Sequence, residues 1–290
     1  MFTIVFLSFH SEKHIKRLVS GIANKYPIIV IENSLNHNFK NELEEKHDNV
    51  KVIVPNMNLG IPKGYNLGIK ESKTNYVKLT SADVEISNKS LEELEECIKS
   101  IKDFAILGPT YHDESIYKNY KIWDSANKNK YKKDEIFTKY NIKEVDFLEN
   151  DFIVSKKEFN DIGFFDEKMF LYYETMDLSQ KVRNANKKIY ICDKIKFKHY
   201  GSQSVSSEFS YLYSLSRSWH YNWSKFYYFK KNFGYFFALK KIFPNFIRAL
   251  KKMIISLIFV KKKDFKLYKA ELLGILTSVL NKSSDFRPFE

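Results

Sequence analysis

Asp83 stands in the segment T-S-A-D-V-E, directly after an apolar run at 75–80. A carboxylate at the end of a buried strand points past the sheet, where a hard oxygen ligand suits Mg²⁺ or Mn²⁺ bridging two phosphates. The same position also suits a turn or a helix cap, for which Asp and Ser are favoured. Glu174 and Asp177, in F-L-Y-Y-E-T-M-D, lie three residues apart and share a face on a helix. Beside so much apolar surface a carboxylate is partly desolvated, which raises its pKa toward the range of a general base for a hydroxyl. Acids in a helix's first turn also complement its dipole and need no other task. Thr175, between them, is no base at neutral pH. His199, in H-Y-G-S-Q-S, follows a β-type run and precedes a polar loop, a place either for a metal ligand or for a structural hydrogen-bonding imidazole.

A glycine-spaced segment adds to these. In N-M-N-L-G-I-P-K-G-Y-N-L-G-I, Gly60, Gly64 and Gly68 open and line a helix after a strand, with Lys63 and Asn66 available to a nucleotide. The spacing is neither that of a phosphate-binding P-loop nor the dinucleotide fingerprint. A tight turn and a close helix–sheet contact would account for the glycines equally well.

The elements that must position these residues alternate. Runs at 2–9, 28–32, 50–54, 75–80 and 104–108 are short and rich in β-branched and aromatic residues. Between them, 38–46, 61–72 and 91–103 carry helical periodicity, as do Ile15, Leu18, Val19 and Ile22. Such alternation predicts an α/β domain with a mostly parallel, Rossmann-like sheet flanked by helices, and ligands beyond the carboxyl ends of its strands. Residues 111–146 read as polar loops with short strands, D-F-L-E-N-D-F-I-V-S as one strand and K-K-E-F-N-D-I-G as a short helix ended by Gly163. A helix over 174–186 and two strands, K-I-Y-I-C-D and K-I-K-F-K-H-Y, follow. From 208 onward two or three helices are expected, broken near Gly234 and Pro244. The division expected is 1–207, with halves 1–110 and 111–207, and an extension over 208–290.

Composition narrows the class. The chain has 290 residues, a net charge of +13, 25 Phe and 19 Tyr. Cys97 and Cys192 lack metal-type spacing and make no disulfide framework, which points to a reducing cytosol. The N-terminus reads as a strand rather than a signal peptide, and the apolar run at 253–260 is too short to span a bilayer. The charge is concentrated: residues 225–269 hold thirteen Lys or Arg and one acid, Asp264, a net +12, so the rest of the chain carries +1. Basic residues interleaved with Phe, Tyr, Leu and Ile suit helices lying on an anionic membrane surface; packing onto the catalytic body or a second subunit in a homo-oligomer is the alternative. No base-reading motif accompanies the charge, so no nucleic-acid partner is expected.

Taken in order over about residues 2–204, these segments resemble the inverting family-2 glycosyltransferases of GT-A fold, in particular the bacterial rhamnosyltransferase-like branch. I-V-I-E-N-S-L resembles a strand ending V-D-N-S, with Glu32 where an Asp usually meets the nucleoside. S-A-D stands where the family has D-x-D or N-x-D, and I-G-F-F-D-E-K-M-F-L-Y-Y-E-T-M-D-L-S-Q-K-V-R resembles G-G-F-D-E-x-F-F-x-Y-x-E-D-x-D-L-x-x-R. The resemblance implies a nucleotide-sugar donor, dTDP- or UDP-linked, held by Ser8, Phe9, Glu32 and Asn33, by Asn58, Gly60, Lys63 and Asn66, and by Ser81, Ala82 and Asp83. It implies a divalent metal, Mg²⁺ or Mn²⁺, on Asp83 and His199. Asn150, Asp151, Asp166 and Glu167 would meet a glycan or lipid-linked acceptor, and Glu174 or Asp177 would take its proton in a single inverting displacement. Three departures stand out. The family's E-D pair is Glu174-Thr175, so its usual base is absent and Glu174 becomes the first candidate, with Asp177 the runner-up. Ser81 replaces an acid in the metal motif. Asn150 replaces a small Gly. The implied setting is surface-polysaccharide synthesis in the cytoplasm, peripherally at the inner face of the membrane.

Overall fold

Ile4, Val5 and Phe6 on β1 (Thr3–Ser8) are wholly buried in the computed structural model, which describes residues 1–22, 24–101, 103–111, 118–122, 135–136, 139–200 and 210–289. Burial on both faces is what a central parallel strand requires. α1 (Glu12–Gly21) leads to β2 (Ile28–Glu32), α2 (His37–Lys46) to β3 (Val50–Ile53), and α3 (Gly60–Glu71) to β4 (Tyr76–Ser81). These strands form a parallel block in the order β3-β2-β1-β4. α3 lies close on it: a Cβ at Gly64 would meet Leu7 at 2.8 Å, and one at Gly68 would meet Val5 at 2.4 Å. Those two glycines therefore serve helix–sheet packing.

The rest of the sheet departs from the expected parallel order. After β5 (Val84–Glu85) and α4 (Asn88–Ser100), β6 (Ile106–Tyr111) does not join β4. Past β7 (Tyr120–Lys121), β8 (Glu135–Ile136), β9 (Ile142–Glu144) and β10 (Phe147–Leu148), it is β11 (Phe152–Ser155) that fills that place, antiparallel to both β4 and β6. After α5 (Lys156–Ile162) and α6 (Glu174–Asn184), β12 (Ile189–His199) pairs parallel with β6 and antiparallel with β9 and β5. The sheet is thus mixed.

Four local expectations are corrected. D-F-L-E-N-D-F-I-V-S is two strands, because Asn150 and Asp151 adopt φ of 53° and 50° and break the ladder. The two strands expected over 188–200 are one, with a register shift between Cys192 and Lys196. α4 starts earlier than predicted, because Ser87 and Ser90 close a reciprocal capping box. Pro244 lies inside α8 (Tyr235–Ile258) rather than ending it; the break comes at Gly234, φ 92°, which separates α8 from α7 (Ser210–Phe233).

The chain divides into two compact units. The first comprises residues 1–59, 63–165 and 175–205; the second comprises 60–62, 166–174 and 206–290. In the second, α7, α8 and α9 (Lys262–Val279) pack together around Phe226, Ala238, Ile242 and Ile275. Gly274 permits the closest approach, since a Cβ there would lie 2.3 Å from the Trp219 carbonyl oxygen. No helix among the described residues is long and apolar enough to cross a membrane.

The segment 166–174 is bound to α7. Asp166 accepts from Tyr227 Oη at 3.0 Å and pairs with Lys231 at 2.7 Å; Ser224 Oγ donates to the Leu171 carbonyl at 2.8 Å. Tyr172 and Tyr173 both have positive φ, 68° and 63°, a costly backbone for bulky residues. Arg217 donates to Tyr172 Oη, and the Tyr173 ring packs on Tyr221 and Tyr228. The aromatic residues before Glu174 therefore anchor this segment to α7.

His220, fully buried on α7, sits between Ser284 Oγ and the Phe286 carbonyl, each at 2.9 Å. Burial pushes its pKa down to about 3 from an ordinary 6.5. Above pH 6.5 folded and unfolded chains hold this imidazole alike and its full contribution is present. As pH falls from about 6.5 toward 3 only the unfolded chain takes the proton, so stability drops by up to about 1.4 kcal/mol per pH unit. Urea unfolding at neutral and mildly acidic pH is expected to show that slope, and His220→Gln to flatten it.

Candidate active site

The register of the parallel block brings three strand ends together. Ser8 pairs with Glu32 and Leu7 with Ser81, so the carboxyl ends of β2, β1 and β4 carry Glu32, Ser8 and the Ser81–Asp83 turn side by side. Glu32 is fully buried. Its Oε1 accepts from Ser34 N at 2.8 Å, and burial raises its pKa against the hydrogen bonds of Ser8 and Ser34. Asn33 Oδ1 accepts from Leu59 N at 3.1 Å, tying the β2 end to the start of the glycine segment. Phe9 N donates to Ser11 Oγ at 3.2 Å. Ala82 is buried and Asn58 half-buried.

Asp83 and His199, 116 positions apart, are joined by a short strand pairing. Val84 of β5 lies opposite His199 of β12, and Tyr200 N donates to the Asp83 carbonyl at 2.9 Å. This sets His199 Nε2 3.5 Å from Asp83 Oδ1, which also accepts from Ser81 Oγ at 2.7 Å. Burial by itself would raise the Asp83 pKa, but hydrogen bonds from His199 and Ser81 outweigh it and hold the carboxyl below its ordinary value. The hydrogen bond to Asp83 raises that of His199 in turn, against its burial. The Gly201–Ser204 part of the H-Y-G-S-Q-S segment lies outside the described residues.

Behind this pair is a buried group that contains Asp151, expected above to meet an acceptor, with partners that the motifs did not reveal. Asp151, with its left-handed backbone, accepts from Tyr111 Oη at 2.9 Å and from Thr80 Oγ1, and faces Lys78 Nζ at 3.7 Å. Lys78 and Asp151 side chains have no exposed surface. Desolvation pulls the Lys78 pKa down to about 8 and raises that of Asp151, each opposed by the partner. The Tyr111 ring then stacks on His199, centroids 5.1 Å apart and planes 7° from parallel. One signal for this was legible: a lysine in the middle of a buried strand demands a counter-charge.

The remaining predicted residues divide as follows. Asn66 donates to and accepts from the Phe165 backbone, both at 3.0 Å, which fixes the I-G-F-F turn. Lys63 and Glu167 are exposed. Gly60 has φ 69°, and a Cβ there would meet the Phe170 carbonyl at 2.4 Å, so glycine is required. Asn150 also holds a left-handed backbone, the conformation Asn tolerates best after Gly. Glu174 and Asp177 occupy the first turn of α6, and both are buried. Glu174 belongs to the second unit with Asp166, and Asp177 to the first.

Among the described residues no three His, Cys, Asp or Glu side chains gather as a metal cage. Asp83, His199 and Ser81 nevertheless offer a carboxylate, an imidazole and a hydroxyl at one point. A hard cation that takes most of its ligands from phosphates and water needs only one or two protein ligands, so this donor set fits a metal carried with a diphosphate.

The chain is 25% identical over 216 residues to the low-salt glycan biosynthesis hexosyltransferase Agl10 of Haloferax volcanii, covering 68% of this chain and 66% of that protein. Among solved structures it is similar to the mannosyltransferase PcManGT of Pyrobaculum calidifontis in complex with GDP-Man and Mn²⁺, with a TM-score of 0.56 and 9% identity over 97% of this chain and 87% of that one. It is also similar to GalNAc-T7 with UDP, GalNAc and Mn²⁺, with a TM-score of 0.55 and 14% identity over 81% of this chain and 52% of that one. The fold is GT-A. Residues 3–163 match the profile of Glycosyl transferase family 2, and the chain belongs to that family.

Proposed function

We propose that the protein transfers a sugar from a nucleotide-diphosphate donor, UDP- or dTDP-linked, to a glycan or lipid-linked acceptor with inversion. Rhamnosyl transfer in surface-polysaccharide assembly is the particular form that the motif resemblance favours, at the cytoplasmic face of the membrane. The observation that carries this reading is the Asp83–His199 pair, set by the β5–β12 pairing at the strand ends, on the same sheet edge as Glu32. Ser8, Glu32 and Asn33 would take the nucleoside; Asp83 with His199 would hold Mg²⁺ or Mn²⁺ on the diphosphate. Such a cation offsets the charge that develops on the leaving nucleoside diphosphate.

Glu174 is the proposed base that accepts the acceptor's proton, since Thr175 stands where the family's usual acid would be. Asp166, held by Tyr227 and Lys231, fixes the segment that carries Glu174. Glu174→Gln is expected to lower kcat by about 10²- to 10⁴-fold, with donor binding retained. Asp177→Asn, at a wholly buried position, is expected to affect folding more than kcat. Near-normal turnover by Glu174→Gln removes Glu174 from the role.

Thr175 also favours a second reading, a relative that binds nucleotide-sugar without turnover. Donor consumption across a panel of nucleotide-sugars with Mg²⁺ or Mn²⁺, with and without lipid-linked acceptor, decides between the two. Nucleotide binding with no donor consumed in any arm selects the second.

A further inference from the structure

The helical unit leaves one face of α8 uncovered. Its inward residues Ala238 and Ile242 pack with Phe226 and Ile275, and Ala249 and Ser256 are buried as well. Phe236, Phe243, Ile254 and Ile258 are 85%, 61%, 47% and 68% exposed. Successive members of that set are 7, 11 and 4 positions apart, all close to whole helical turns, so they form one stripe. At 1.5 Å per residue the stripe runs for about 33 Å. It ends in an apolar turn: Leu257, Phe259 and Val260 are 64%, 66% and 72% exposed, and Val260, φ 53°, redirects the chain into α9.

The charge around this face selects its occupant. Lys240 and Lys251 border the stripe and Lys261, Lys262 and Lys263 follow the turn; all five are exposed. Asp264 is the one acid among residues 225–269. A second copy of the chain pairing symmetrically through this face would set the lysines against their own counterparts, and like charges there repel. An anionic bilayer gives the lysines opposite charge and the stripe an apolar medium at the same time. By contrast Trp219, Trp223, Phe226 and Tyr228 of α7 are buried, and of its aromatic residues Tyr221 and Phe233 are exposed, at 40% and 49%. We infer that the exposed stripe of α8 and the α8–α9 turn seat the protein on an anionic lipid surface, with α8 lying in the interface plane. This deepens the membrane-side reading above and rests on it for the whereabouts of the acceptor, but its test needs neither donor nor acceptor.

The test is flotation of the full chain with vesicles of phosphatidylcholine alone and of phosphatidylcholine with phosphatidylglycerol. The native chain is expected to float with the anionic vesicles only. The variant Phe236→Asp/Ile254→Asp/Ile258→Asp and the variant Lys261→Glu/Lys262→Glu/Lys263→Glu are each expected to partition about 100-fold more weakly. All six positions are exposed, so unchanged circular dichroism and melting are expected, as is unchanged donor turnover with a water-soluble acceptor. A native chain that ignores anionic vesicles, or an aspartate variant that floats like the native chain, overturns the inference. So does light scattering that shows a dimer which the aspartate variant alone abolishes while no form floats, because the stripe is then a self-interface. Absence of any donor turnover alongside intact flotation would count against the enzymatic reading and leave the lipid surface standing.

Discussion

Asp83→Asn is expected to lower metal-stimulated donor turnover by about 10²- to 10³-fold while leaving the fold intact. Asn keeps the shape of the side chain and a carbonyl oxygen for Ser81 Oγ, which now donates to Asp83 at 2.7 Å. What it removes is the negative charge of the carboxylate. In the proposed role that charge recruits the cation, and a metal ion is worth several kcal/mol of transition-state charge stabilisation. Two readouts separate this from general damage. Titration of Mn²⁺ against the protein with bound nucleoside diphosphate should show weakened metal binding in the variant, and the melting temperature without metal should be nearly unchanged. His199→Gln should weaken metal binding in the same direction but less, since an uncharged ligand contributes less than a carboxylate to a hard cation. If Asp83→Asn turned over donor normally at limiting Mn²⁺, the metal reading of this carboxylate would be lost and the turn-forming role would remain.

The positions of Asp83 and His199 were legible in the sequence because each ends a β-type run, and a strand end is where a polar residue meets the crevice. Their meeting was implied by the family resemblance but by no local pattern. It depends on a two-residue strand, Val84–Glu85, pairing with the end of β12, and so short a run carries no hydrophobic period. The same limit explains β11. Nothing local in F-I-V-S says that the strand enters antiparallel between β4 and β6, since that is decided by where the preceding excursion over 111–146 delivers the chain. Pro244 departs from its expected place for a different reason. A proline removes one helical hydrogen bond and crowds the preceding turn, but Ala238 and Ile242 on one side and Ala249 on the other are packed in the helical unit, and that burial outweighs the local cost. The Phe-Leu-Tyr-Tyr stretch was recognised as a cluster around acids. Its use, holding 166–174 on α7 through Arg217, Ser224 and Tyr221, required the tertiary partners.

Lys78→Met is expected to destabilise the protein by about 3–5 kcal/mol, the cost typical of removing one partner from a buried ion pair. The reason is asymmetric. Lys78 and Asp151 side chains have no exposed surface, and Lys78 Nζ also lies 4.7 Å from the Phe197 ring centroid, so methionine fills the volume well. Asp151, however, would lose its counter-charge in the interior and keep the hydrogen bonds of Thr80 and Tyr111. Urea denaturation should therefore show a large loss for Lys78→Met, and Lys78→Met/Asp151→Asn should recover most of it, a coupling that only neighbouring groups produce. The pair also bears on the site. Tyr111 bonds Asp151 with its hydroxyl and stacks its ring on His199, so Tyr111→Phe should keep the stack and lose the tether. If the tether orients the imidazole, Tyr111→Phe should weaken Mn²⁺ binding by several-fold at a stability cost of about 1–3 kcal/mol, whereas the double variant, whose amide at position 151 still offers Tyr111 an acceptor oxygen, should bind Mn²⁺ nearly as the native protein does. Equal metal binding in all three proteins would confine the buried pair to stability and leave the placement of His199 to the β5–β12 pairing alone.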